Sequence, residues 1–370
     1  MALRLNSALD GLVAYKAAPP LDEIAAHYGL TRLVKLASNE CADGPFPEVV
    51  EAMSHELAGL NRYPDGGCDR LRADLAGHLA VPPEHLVFGN GSCELLMLLG
   101  QALLSPGDGL VYADPSFVMY HTIGVLRQAR ISAVPLRDHT HDLDALAAAI
   151  RSDTRMVVVC NPNNPTGTLL PADALRAFLR AVPADAVVVL DEAYVEFVTS
   201  PVYEDPVPWL QEHENLIVLR TFSKIYGLAG LRVGYGIGNR VLIEALDKVR
   251  QPFNVTTLAQ VAAMESLRHP NRLRARRDEI ARERQRLGVA LERLGIRFIP
   301  SHANFVLLNV EGLPVPGKEV PQALLERGVM TRSGYAMGCP GWLRVTIGTE
   351  EENDLFLEQL AAIAAKGATP

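Results

Sequence analysis

The sequence predicts an α/β fold, with a large, doubly wound, mostly parallel seven-stranded sheet followed by a smaller α+β unit. Three observations carry this. Between His85 and Gly236, apolar runs alternate with helix-like segments, at Leu86–Gly89, Leu110–Ala113, Ile131–Pro135, Met156–Cys160, Val187–Leu190, Leu216–Arg220 and Leu231–Gly236. Runs such as Met156-Val157-Val158-Val159-Cys160 lack polar alternation, as strands covered by helices on both faces should. After Pro252 the texture changes to long helical patterns, including Asn271–Leu294, with strand-like pieces at Arg297–Ile299, Asn304–Asn309, Gly328–Thr331 and Trp342–Ile347.

The organisation expected from this is an N-terminal arm over residues 1–40, where prolines interrupt helix formation, a large unit over 41–252 and a small C-terminal unit over 253–370. With 48% hydrophobic and 21% charged residues in 370, the chain has the composition of an ordinary globular protein with a sizeable core. Its net charge of -8 comes without a basic block, which argues against nucleic acid or an anionic membrane as partner and favours a small molecule. The arginines of Asn271–Leu294 are interleaved with Asp278, Glu279, Glu283 and Glu292 at helical spacing, so they read as a solvated helix face. No window offers the roughly 20 uninterrupted apolar residues of a membrane span, and Arg4 and Asp10 interrupt the start too early for a secretory segment. The five cysteines, Cys41, Cys68, Cys93, Cys160 and Cys339, are scattered without C-x-x-C, which suits free thiols in the cytoplasm. Ten histidines without an H-E-x-x-H pattern give no reason to expect a metal.

Four strings carry chemistry. Thr221-Phe222-Ser223-Lys224 follows an apolar strand. A lysine desolvated in a concave α/β site has a lowered pKa and a nucleophilic amine, although most strand-end lysines are simply exposed. Asp191, in Val189-Leu190-Asp191-Glu192-Ala193-Tyr194, stands at the carboxyl end of a buried strand, the edge where open α/β sheets bind ligands. A carboxylate there calls for a cation, unless it only caps the next helix. Asn161-Pro162-Asn163-Asn164-Pro165-Thr166-Gly167 makes a good turn but is longer and more particular than a turn requires. Gly89-Asn90-Gly91-Ser92-Cys93-Glu94 places small residues before an apolar helix, where backbone N–H groups and the helix dipole receive a phosphate. Neither this string nor Gly234-x-Gly-x-Gly238 has the spacing of a dinucleotide fingerprint.

These strings, together with Lys35-Leu36-Ala37-Ser38-Asn39-Glu40, Asn61-Arg62-Tyr63-Pro64-Asp65-Gly66 and Gly230-Leu231-Arg232, resemble those of the class-II aminotransferases that include the histidinol-phosphate aminotransferases. The resemblance runs from about Tyr15 to Glu351. It implies the type I fold of pyridoxal-phosphate transferases, with Lys224 holding pyridoxal 5'-phosphate covalently and moving the proton at the substrate carbon. Asp191 would pair with the ring nitrogen, Asn164 and Tyr194 would bond the ring 3-oxygen, and Phe117 would stack on the ring. The phosphate would be held by Ser223, Arg232 and the backbone of Ser92 and Cys93, with Tyr63 contributed by the partner subunit of a homodimer. On the substrate side the resemblance points to Arg344 and Arg332 as anion contacts, with Tyr15 and Asn39 beside them. Two departures stand out: Cys93 occupies a position that is usually acidic in the family, and Cys41-Ala42-Asp43 replaces its usual Asn-Pro-x.

The activity implied is transfer of an amino group between glutamate or 2-oxoglutarate and histidinol phosphate or imidazole acetol phosphate, a step of histidine biosynthesis. Relatives of the family that act on phenylalanine and tyrosine, or that decarboxylate phosphothreonine, define the alternatives. A regulator built on the same fold would need an N-terminal DNA-binding module, and only about 40 residues precede the first family string.

Overall fold

The computed structural model describes residues 3, 5–14 and 19–365. Its centre is a seven-stranded sheet in the order Leu86–Gly89, Gly234–Gly238, Leu216–Thr221, Val187–Asp191, Thr154–Cys160, Gly109–Asp114, Arg130–Pro135. Gly234–Gly238 runs antiparallel to both of its neighbours, and the remaining pairings are parallel. Successive residues of one strand enter different cores. Val157 and Val159 pack with Leu175, Phe178 and Leu179 of the helix Ala172–Ala181, whereas Met156, Val158 and Cys160 pack with Leu95, Leu96 and Leu99 of Ser92–Leu103. Apolar side chains are therefore needed on both faces, which is why these strands show no alternation.

The seventh run begins later than expected. Ala229–Leu231 forms a 3-10 turn and Arg232 adopts a left-handed φ of 57°, so the strand starts only at Gly234. The arm also differs from expectation, because it holds a helix, Leu21–Tyr28. Pro20 precedes the first helical residue with φ -52°, and Gly29, at φ 64°, returns its N–H to Ala25 and Ala26. A proline at a helix start costs no hydrogen bond and presets the turn, so here it initiates the helix.

After the sheet, a 24-residue helix, Pro270–Arg293, buries Ile280, Leu287 and Leu291. It is followed by a four-stranded antiparallel sheet in the order Arg332–Ser333, Trp342–Thr346, Phe305–Asn309, Phe298–Ile299. The piece expected at Gly328–Thr331 holds one short strand, and a second, Arg332–Ser333, follows it directly. Val329–Met330 pairs in parallel with Val34–Lys35, and after Thr331 the chain crosses into the four-stranded sheet. No helix among the described residues is long and apolar enough to cross a membrane.

Candidate active site

The loops that leave the carboxyl ends of the central parallel strands meet at a cavity of about 290 Å³, the edge at which such sheets collect ligands. Ser116 and Phe117 follow Gly109–Asp114, Asn164 follows Thr154–Cys160, Tyr194 follows Asp191, and Ser223 and Lys224 follow Thr221. Ala37–Asn39 and, from the four-stranded sheet, Arg332 and Arg344 close the opposite wall with Met337. Lys224, Arg232, Arg332 and Arg344 line this space against a single carboxylate, Asp191. Arg232 and Arg332 meet no carboxylate among the described residues, so the cavity is built to receive anions.

Lys224 Nζ donates to the Ser38 carbonyl at 3.3 Å and lies 5.6 Å from the centre of the Tyr194 ring. Burial, and then the Arg344 charge, bring its pKa down to about 8, against the opposing pull of Cys93 and Glu40. A far larger share of the amine is therefore neutral, and so nucleophilic, at physiological pH than for an ordinary lysine. Asp191 is buried beneath it. Desolvation raises the carboxyl's pKa, while a hydrogen bond from Tyr120 and the Lys224 charge oppose the rise. Buried charges are stable only when paired, and among the described residues Asp191 forms no salt bridge, its contacts being the Tyr120 hydroxyl and the Ala193 N–H.

A cup for a phosphate-sized anion lies at the other end. The Arg232 Nη1 donates to Ser223 Oγ at 3.1 Å and to the Ala229 carbonyl at 3.0 Å. Gly91, at φ 73°, sits against this guanidinium, and a Cβ there would come within 2.4 Å of Nη2. A Cβ on Gly234 would come within 2.6 Å of the Ser92 nitrogen. Two glycines therefore let the guanidinium and the first N–H groups of Ser92–Leu103 face one space, where the helix dipole adds positive potential.

Between these ends the two sheets are stitched together. Asn39, at φ 55°, donates from Nδ2 to Tyr194 Oη at 3.0 Å, and its backbone N–H donates to Thr346 Oγ1 at 2.9 Å. Arg344 donates to Asn164 Oδ1 at 2.6 Å and to the Ala37 carbonyl at 2.9 Å, and its Nε is buried without a partner. Burial pushes the Tyr194 phenol up to about 12, so its hydroxyl is a proton donor throughout the working range.

Every residue singled out from the sequence lines the cavity except Tyr63 and Tyr15. Tyr63 is 82% exposed on its own chain and stacks on Phe253 at 4.7 Å. Tyr15 falls outside the described residues. Cys93 stands at a helix start, yet burial and the Asp191 charge raise its pKa, so the dipole does not make it a thiolate. Sequence reasoning missed Tyr120, Thr346, Met337 and the carbonyls of Ala37 and Ser38. Only Tyr120 left a trace, since it stands three residues after Phe117 in the same turn.

Residues 31–360 match the family described as aminotransferase class I and II. The chain belongs to that family. Within it, the chain is 45% identical over 349 residues to a histidinol-phosphate aminotransferase of Brevibacillus brevis, covering 94% of this chain and 95% of the relative. It is 42% identical to the histidinol-phosphate aminotransferase of Halalkalibacterium halodurans, with 99% of each chain covered. Among solved aminotransferases, the histidinol-phosphate aminotransferase of Sinorhizobium meliloti in complex with pyridoxal-5'-phosphate superposes with a TM-score of 0.90 at 27% identity, covering 99% of this chain and 98% of the other.

Proposed function

We propose that this aminotransferase exchanges an amino group between glutamate or 2-oxoglutarate and histidinol phosphate or imidazole acetol phosphate, with pyridoxal 5'-phosphate as cofactor. The observation that carries the substrate is the pair Arg332 and Arg344, which face each other across two strands at the cavity wall with no carboxylate between them. One arginine fork suits a carboxylate, and a second supplies the donors that a dianionic phosphate ester needs. Relatives 41–45% identical over nearly the whole chain bear the same activity in their names.

The residues present fit the cofactor. The cup of Ser92, Ser223 and Arg232, kept open by Gly91 and Gly234, has the charge and donors for its phosphate, with Tyr63 of the partner subunit completing it in a homodimer. When bound, pyridoxal phosphate supplies an electron-withdrawing ring that accepts the electron pair left at the substrate carbon. Lys224 would hold the cofactor covalently and would move the proton at the substrate carbon. Asp191 would pair with the ring nitrogen, Asn164 and Tyr194 would bond the ring oxygen, and Phe117 would stack on the ring. Arg344 receives the carboxylate of glutamate, and Arg332 joins it for the phosphate, with Asn39 and Tyr15 beside them. Further parts of the same reading are a division into residues 1–40, 41–252 and 253–370 and a cytoplasmic location. The five free cysteines support the latter.

The experiment is a coupled assay with 2-oxoglutarate as acceptor, in which histidinol phosphate competes with phenylalanine. Rapid glutamate formation from histidinol phosphate is the expected result. Preference for phenylalanine would move the substrate to the aromatic amino acids, and release of carbon dioxide without glutamate would indicate a lyase.

A further inference from the structure

Asp191 is held by a residue that never touches the cavity. Tyr120, in the helix Met119–Leu126, is fully buried and donates its hydroxyl to Asp191 Oδ2 at 2.7 Å. The other oxygen, Oδ1, takes among the described residues only the Ala193 N–H, at 3.3 Å. The two contacts approach the carboxylate from different sides, so its plane and the face it presents to the cavity are set by Tyr120 and one backbone group. Tyr120 is not among the residues that line the cavity, whereas Asp191 is.

The same turn carries the ring-covering residue. The Tyr120 N–H donates to the Phe117 carbonyl at 3.1 Å, and the two rings meet edge to face at 5.9 Å. A phenylalanine at position 120 would fill the same volume against Tyr112 and Phe117. Packing therefore does not account for the hydroxyl, which donates to Asp191 with the weakly bonding Cys160 thiol beside it.

Resting on the cofactor reading above, we propose that Tyr120 is a positioning residue for Asp191, one that orients its carboxylate toward the cofactor's ring nitrogen and keeps the shared proton on that nitrogen. A carboxylate that accepts a hydrogen bond is stabilised as the anion. In a dry site the proton between the acid and a ring nitrogen lies on whichever group the surroundings favour, and a neutral donor on Oδ2 favours the ionised acid without cancelling its charge. Burial and the Asp191 charge hold the Tyr120 phenol well above its usual pKa, so the hydroxyl remains the donor.

The test uses wild type, Tyr120→Phe and Tyr112→Phe reconstituted with pyridoxal phosphate carrying nitrogen-15 in the ring. The ring-nitrogen resonance and the single-turnover rate with glutamate are read together. Tyr120→Phe is expected to move the resonance toward that of an unprotonated ring and to slow the half-reaction by about ten- to a hundredfold, the loss of one hydrogen bond to a charged group. Tyr112→Phe, which removes the neighbouring hydroxyl from His121 instead, should match wild type. In an Asp191→Asn background Tyr120→Phe should cost nothing further, because the coupled partner is already gone. An unmoved resonance in Tyr120→Phe, equal shifts in both tyrosine variants, or a full additional loss in the double variant would overturn the proposal. An unprotonated ring in the wild type is a separate signal and would overturn the role given to Asp191 itself.

Discussion

Arg332 and Arg344 stand directly opposite each other on neighbouring antiparallel strands, Arg332–Ser333 and Trp342–Thr346. Like charges in this position repel. Burial first, and Arg332 in addition, lower the Arg344 guanidinium to about 10. The repulsion is an energetic cost of the empty site, and a bound anion turns it into attraction.

Arg344→Ala is therefore expected to damage both half-reactions, and Arg332→Ala to damage the histidinol-phosphate half-reaction more than the glutamate one. Each loss should be about ten- to a hundredfold, the range of a charge-assisted hydrogen bond. Single-turnover rates with each donor measure it, and equal losses for both donors in Arg332→Ala would remove the argument for a phosphate ester.

Lys224 yields a prediction with a pH sign. Its folded pKa, about 8 against an ordinary 10.5, is depressed mainly by burial. The neutral amine, and with it the rate at which apoprotein takes up pyridoxal phosphate covalently, should rise with pH and level off above about 8. Between about 8 and 10.5 the unfolded chain binds more protons at this group than the folded one, so its contribution to stability rises with pH over that window. Apoprotein carrying Lys224→Met should accordingly melt higher than wild type at pH 7, with the gap closing as the pH is raised. Borohydride reduction and peptide mapping should label Lys224, and a label on another lysine would reject the anchor.

Tyr63 is predicted to work only across a dimer. It is 82% exposed on its own chain, stacks on Phe253 and lies outside its own cavity. Tyr63→Phe should speed cofactor release by roughly ten- to a hundredfold, one hydrogen bond to a charged phosphate. Ultracentrifugation of the holoenzyme should give a dimer, and a fully active monomer would exclude this role.

Much of the fold is legible in the sequence. The buried strands announced themselves through runs such as Met156–Cys160, because both of their faces are covered, and Asp191, Lys224 and Asn164 sit where a strand ends, a boundary that local sequence marks. What was hidden depends on register between distant segments. The opposition of Arg332 and Arg344 arises from pairing across a loop, and the Tyr120 contact to Asp191 spans 71 positions. Pro20 reads as a helix breaker in the sequence although it precedes a helix, since a proline's meaning depends on which side of it the helix lies.

The most demanding prediction concerns Asp191. Asparagine has the shape of aspartate, and with its one amide oxygen toward the Ala193 N–H its Nδ2 group can donate to the Tyr120 hydroxyl, so both neighbours that now bind Oδ1 and Oδ2 at 3.3 and 2.7 Å stay satisfied. Asp191→Asn should therefore fold, and its apoprotein should melt no lower than wild type, because burial raises the pKa of the acid and so penalises the charge that the amide lacks. What the amide cannot do is hold a proton on a ring nitrogen. A partner carboxylate stabilises a cation by a few pKa units, each worth about 1.4 kcal/mol, so turnover should fall by several orders of magnitude while cofactor is still taken up through Lys224. The two readouts pull apart only if the charge, and not the packing, is what matters. A variant with near-normal turnover and bound cofactor would show that the ring nitrogen needs no anion here, and a variant that loses stability and activity together would assign Asp191 to the core.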